Sequence, residues 1–196
     1  MRKLIIFLAI TLHGCATYEN PSLYSFLFNK VQDPLHESDH YQSCLFFAEL
    51  SIDEKQLENS VSYLSLKNEP NLCDYYILAS QTQDPVYINE FSQQLPAGRG
   101  LEKIWSHHTK LDYPISFIPP YISMARNIAT RNDVALDKLI SGLPFVDGSH
   151  AESLSDIIAN LYNLNPRRVN GSFKRNKLEK KTVLEIKLLA EYLKRN

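Results

Sequence analysis

Three apolar quartets recur in the second half of the chain, starting at residues 118, 136 and 154, an interval of 18. They are Ile118, Tyr121, Ile122 and Ala125; Leu136, Leu139, Ile140 and Leu143; and Leu154, Ile157, Ile158 and Leu161. Positions i, i+3, i+4 and i+7 share one face of a helix, so each quartet predicts an amphipathic helix. The intervening residues punctuate them. Pro119-Pro120 suits a helix start, Asn132 or Asp133 suits a cap, Leu143-Pro144 through Gly148 is a break, and Ser149 with Glu152 has the spacing of a capping box. Short helices at even spacing predict antiparallel hairpins stacked in series, with a unit of about 36 residues. An irregular helical bundle satisfies the same pattern. Composition adds to the helical bias: 27 leucines stand against 7 valines, and there are only 6 glycines. Strand-rich proteins favour β-branched residues and turn glycines, so the predicted class is all-α.

Upstream, the same periodicity continues less regularly. Leu23, Phe26, Leu27 and Val31 form one stripe. Asp33-Pro34 predicts a helix start, with Tyr41, Cys44, Leu45 and Ala48 buried behind it and an end near Leu50. Leu57, Val61 and Leu64 mark the next helix, closed by Asn68-Glu69-Pro70. Leu72, Tyr75, Tyr76 and Ala79 follow, and Asp84-Pro85 opens another helix through Ile88, Phe91 and Leu95. Pro96 to Gly100 reads as a loop before Leu101, Ile104, Trp105 and His108. After the third quartet, Asn165-Pro166 predicts a stop, Arg167 to Arg175 a basic loop, and residues 176–195 a basic amphipathic C-terminal helix. Leu178, Thr182, Ile186, Leu189, Ala190 and Leu193 line one side of that helix, with Lys180, Lys187 and Lys194 opposite.

The amino terminus has a different character. Arg2 and Lys3 precede a nine-residue apolar run, Leu4 to Leu12, and then His13, Gly14 and Cys15. The run is well short of the roughly 20 apolar residues that span a bilayer, and its length fits the apolar region of a secretory signal. With Leu12 three positions before Cys15 and Gly14 just before it, this segment resembles a bacterial lipoprotein signal. The resemblance covers these residues only. It implies a signal peptide over 1–14 and a diacylglycerol thioether and N-acylation at Cys15. By the family's sorting rule, Ala16 implies the periplasmic face of the outer membrane. A tether over 15–21 would reach only about 25 Å, placing the helical domain, residues 22–196, close to the membrane.

Charge divides unevenly. Pro166 to Asn196 holds ten Lys and Arg against three Glu (+7), whereas Ala16 to Asn165 holds nine against nineteen acidic residues (−10). A basic tail of this kind packs on its own acidic body, faces solvent, or meets an anionic surface through Lys180, Lys187 and Lys194. The exported address argues against nucleic acid as a partner.

Cys44 and Cys73 remain once Cys15 is assigned to lipid. They make one pair, either a disulfide or two buried thiols. His36, His40 and Cys44 fall at i, i+4 and i+8, a metal-like spacing without a fourth ligand, and His36 and His40 sit among polar first-turn residues; no metal site or cofactor is assigned. His107-His108 reads as a helix end, and Gly148-Ser149-His150 as a cap. No nucleophile elbow, Cys/His pair with a third group, or phosphate-binding glycine loop occurs. The function expected is therefore non-enzymatic: a membrane-tethered lipoprotein that binds an envelope protein as an accessory or scaffold. A cell-wall-active or metal-dependent hydrolase and a toxin-neutralising immunity lipoprotein are the alternatives.

Overall fold

Five helix starts among the described residues are fixed by side chains that satisfy the exposed N–H groups of the first turn. Asp53 Oδ1 accepts from the Gln56 N–H at 2.8 Å, while Gln56 Oε1 accepts from the Asp53 N–H. Asn71 and Asp74 repeat that reciprocal box. Asp84 caps through the Val86 N–H at 2.8 Å, Asn132 through Ala135 and Asn165 through Arg168. Each such cap contributes about 1 kcal/mol.

The computed structural model describes residues 21–32, 37–108 and 118–195. Among them the chain forms α1 (Pro21–Gln32), α2 (Glu37–Glu49), α3 (Glu54–Ser65), α4 (Leu72–Thr82), α5 (Pro85–Gln94) and α6 (Arg99–His108). There follow α7 (Pro120–Ala129), α8 (Asp133–Gly142), a 3-10 turn over Leu143–Phe145, α9 (Gly148–Leu164), α10 (Pro166–Arg175) and α11 (Lys180–Arg195). No strand occurs among the described residues, so the fold is all-α. No helix among them is long and apolar enough to cross a membrane. Residues 1–20, read as signal peptide, anchor and most of the tether, lie outside the described residues, as do Asp33, Pro34 and His36; Pro21, read as the end of the tether, begins α1.

Packing runs as a series of layers. α1 lies on α2, α2 on α4, and α4 on α5; α7 pairs with α8, α8 meets α10, and α9 packs on both α10 and α11. α2 against α7 and α5 against α8 join the two halves. This succession has the outline of a helical-repeat stack. One core runs through it, from Leu27, Val31, Phe47 and Leu64 through Tyr76, Phe91 and Trp105 to Leu136, Leu154 and Ile186. The three quartets supply its middle: Ile122, Ala125, Leu136, Leu139, Ile140, Leu154, Ile157, Ile158 and Leu161 are all buried.

Two joints depend on backbone detail. Between α5 and α6, Gly98 adopts φ +55°, which a side chain disfavours, and its N–H donates to Ser141 Oγ at 2.8 Å. Lys138 on α8 donates from Nζ to the Gln93 and Leu95 carbonyls, capping the end of α5. Burial there lowers the pKa of its ammonium.

Three expectations are corrected. Residues 166–175 are helix α10, not a loop: Asn165 caps it, Pro166 stands at its start, and Val169, Ser172 and Phe173 bury one face. Two of its three arginines meet the acidic side of α8, Arg168 with Asp133 and Arg175 with Asp137, each at 2.7 Å. The pairing raises the Arg175 pKa further. The last helix accordingly begins at Lys180, not near residue 176, after a turn in which Lys177 takes φ +51°. Finally, α9 begins at Gly148 behind Asp147, which makes no side-chain cap, so Ser149 lies inside the first turn instead of heading a capping box.

Candidate functional site

A groove of about 430 Å³ lies between α7 and α9. Its floor is Ile157 and Leu161, two members of the third quartet. Ile118 and Leu164 are its other apolar lining residues, and Arg126, Asp156 and Asn160 give it polar groups. Leu164 is 72% exposed. It stands three residues beyond Leu161, so it prolongs the apolar stripe past the helix's buried stretch.

The α7 wall of this groove is held in place from behind. Asn127 Nδ2 donates to the Tyr76 hydroxyl on α4 at 2.8 Å and reaches Glu49 on α2 at 3.5 Å. Burial pushes the Tyr76 phenol above its ordinary range, with the Asn127 hydrogen bond acting in the opposite direction. Arg131 at the end of α7 donates to the Ala79 carbonyl at 3.3 Å. One wall is thus tied to two core helices while the groove stays open. Among the described residues neither histidine nor cysteine lines it, and its charges are one guanidinium and one carboxylate. An apolar floor with polar groups around it accepts apolar side chains and fixes their direction by peripheral hydrogen bonds.

A second cluster lies in the core. Cys44 on α2 and Cys73 on α4 are joined as a disulfide, with Cα atoms 5.8 Å apart. His40, one turn before Cys44, places Nε2 3.9 Å from Cys44 Sγ. The histidine was expected in solvent among polar first-turn residues; it is 5% exposed because its side of α2 faces the core. The three ligand atoms of His40, Cys44 and Cys73 lie within 4.8 Å of one another. The spacing of His40 and Cys44 was visible in the sequence. Cys73 joins them from another helix, which no local motif signals.

The third element is α11. Ile186 and Ala190 are buried against α9, and Asn163 Nδ2 donates to the Ala190 carbonyl at 2.8 Å. The lysine row is not uniform. Lys180 and Lys194 are exposed, whereas Lys187 is half-buried with Nζ 5.9 Å from the Tyr162 ring centre. Leu184 and Leu188 are also exposed on this helix. The tail's arginines Arg168 and Arg175 are spent on Asp133 and Asp137, so part of the basic tail packs on its own acidic body. Of the remaining histidines, His150 stacks on Trp105 with ring centres 5.4 Å apart. The side chains of His107 and His108, like Cys15, lie outside the described residues. Compared with known proteins, the chain matches no family model, no curated protein and no solved structure.

Proposed function

We propose that the protein is a lipid-anchored, non-enzymatic accessory or scaffold of the bacterial envelope, held through Cys15 at the periplasmic face of the outer membrane. In this reading the α7/α9 groove takes apolar side chains of a partner protein. The observation that carries it is the groove itself: an apolar floor, polar groups of both signs, and a wall fixed by Asn127 and Arg131. A surface stiffened before binding loses little conformational entropy on association. The lipoprotein-like segment ending at Cys15 supports the address, and acylation at one cysteine with three chains would anchor firmly, at about 0.8 kcal/mol per buried methylene.

The test is in-cell crosslinking followed by affinity capture, comparing the wild type with Leu164→Asp and Asn160→Arg. Both positions are exposed, so the fold should tolerate the changes. A partner seated in the groove should be captured roughly tenfold less by each variant, a loss of about 1.4 kcal/mol. Capture of the same partner at wild-type levels by both variants would remove the groove from the interface. The anchor is tested separately. Cys15→Ser should move the protein from the membrane to the soluble fraction, and retention after detergent-free washing would exclude a lipid anchor at that residue.

A further inference from the structure

We infer that His40, Cys44 and Cys73 form a redox-gated binding site for a thiophilic divalent cation, zinc above all, in the reduced protein. The inference is independent of both the groove and the anchor. A disulfide that only staples two helices has no use for an imidazole at its side. Here one is brought beside it in the core, one helical turn from Cys44, with Nε2 3.9 Å from the sulfur. Two thiolates and one neutral imidazole make a ligand set that zinc accepts, with a fourth position left for water or an incoming ligand.

The geometry is close to what the ion requires. Zinc–sulfur bonds of about 2.3 Å and zinc–nitrogen bonds of about 2.0–2.1 Å at tetrahedral angles put sulfur and nitrogen ~3.6 Å apart. The His40–Cys44 edge already stands at 3.9 Å. The two sulfurs must part to ~3.8 Å. With Cα atoms 5.8 Å apart, rotation about the cysteine side chains supplies much of that separation while α2 and α4 stay packed. Charge also selects the ion. Two thiolates with a divalent cation are neutral, whereas a monovalent cation would leave a net negative charge in an apolar core, which costs several kcal/mol.

The chemistry balances as two steps. A dithiol reductant gives two electrons and two protons to the Cys44–Cys73 bond, leaving two thiols and becoming a disulfide itself. The cation then displaces both thiol protons to solvent and takes the imidazole nitrogen as third ligand. Disulfide and metal exclude each other, so the oxidised chain does not bind at these residues.

The experiment uses the full folded chain, reduced with a phosphine, freed of reductant without air, and titrated with Zn2+ against a chromogenic chelator. Co2+ serves as the spectroscopic probe. One Zn2+ per reduced chain is expected, with a thiolate-to-cobalt charge-transfer band for Co2+, and neither in the oxidised chain. Cys44→Ala with Cys73→Ala should abolish both, and His40→Asn should weaken Zn2+ binding at least about tenfold. Zinc uptake by reduced wild type no greater than that of the double variant would overturn the site. Wild-type affinity and cobalt spectrum in His40→Asn would remove the imidazole and overturn it equally. If reduction loosens the fold, circular dichroism decides: recovery of helix with Zn2+ supports the site, and no recovery counts against it.

Discussion

Replacing Cys44 and Cys73 together by alanine is expected to lower the unfolding free energy by about 3.5 kcal/mol. The argument concerns the unfolded chain. The bond spans a sequence separation of 29, and closing a loop of that length removes chain entropy from the denatured ensemble that folding would otherwise have to overcome. Alanine is the proper replacement because both sulfurs are fully buried, and serine would add an unpaired hydroxyl to the core. Urea unfolding followed by circular dichroism measures the effect. The wild type with reductant, in metal-free buffer, should lose nearly as much stability as the double variant. An unfolding midpoint unmoved by reductant would mean that the two sulfurs are not bonded in solution. The loss should fall on α2 and α4 and on α1 packed against α2, where Tyr24 and Phe28 of α1 meet Phe47 of α2 with ring centres 5.5 Å apart.

The second large effect is expected at Trp105, the only tryptophan of the chain. Trp105→Ala should cost about 3–5 kcal/mol, which for a protein of this size lowers the melting temperature by roughly 6–20 °C. Trp105 is fully buried on α6 and stacks on His150 at the start of α9. Its neighbour on the helix, Leu101, lies so close to α8 that a Cβ on Gly142 would stand 2.7 Å from Leu101 Cδ1. The α6 helix is therefore wedged against α8 and the head of α9, and removing its largest side chain leaves a void that these helices cannot easily close. Trp105→Phe separates volume from polarity. The indole Nε1 has no hydrogen-bond partner among the described residues. Phenylalanine removes that buried donor while keeping an aromatic ring, so its cost should stay under about 2 kcal/mol. Thermal unfolding by circular dichroism compares the two. A Trp105→Ala loss below 1 kcal/mol would mean that α6 is not part of the cooperative core. In the wild type, indole fluorescence reports on this joint alone, since no second tryptophan dilutes the signal.

The quartets were legible because each repeats a spacing that only a helix puts on one face, and Asn132 and Pro120 mark their starts as local chemistry requires. Residues 166–175 were not legible. Pro166, three arginines and Gly171 are what a loop looks like when read locally, and α10 owes its place to partners distant in sequence. Asp133 and Asp137 neutralise Arg168 and Arg175, and Val169 with Phe173 finds the core. Tertiary contacts outweighed propensity there. The candidate sites divide the same way. The groove's floor was visible as a stripe, but a stripe does not say which part of it remains uncovered. Leu164, at the end of α9, is the part of the stripe left exposed beside the groove. His40 was misplaced because Glu37 and Asp39 beside it in sequence suggest a solvated first turn, whereas its own side of α2 turns inward.

The layered order of the helices has a mechanical corollary. In a stack where each layer touches mainly those beside it, a load enters at one end and passes from layer to layer instead of spreading through the whole body at once. A pull on residues ahead of Pro21 arrives first at α1 and α2, where the covalent link from Cys44 to Cys73 lets α2 and α4 bear it together. At the far end α11 is held by side-chain packing and the Asn163–Ala190 hydrogen bond, with no covalent link. Under tension applied between the two ends, the Cys44–Cys73 bond keeps α2 and α4 together, and it is non-covalent packing elsewhere in the body that yields.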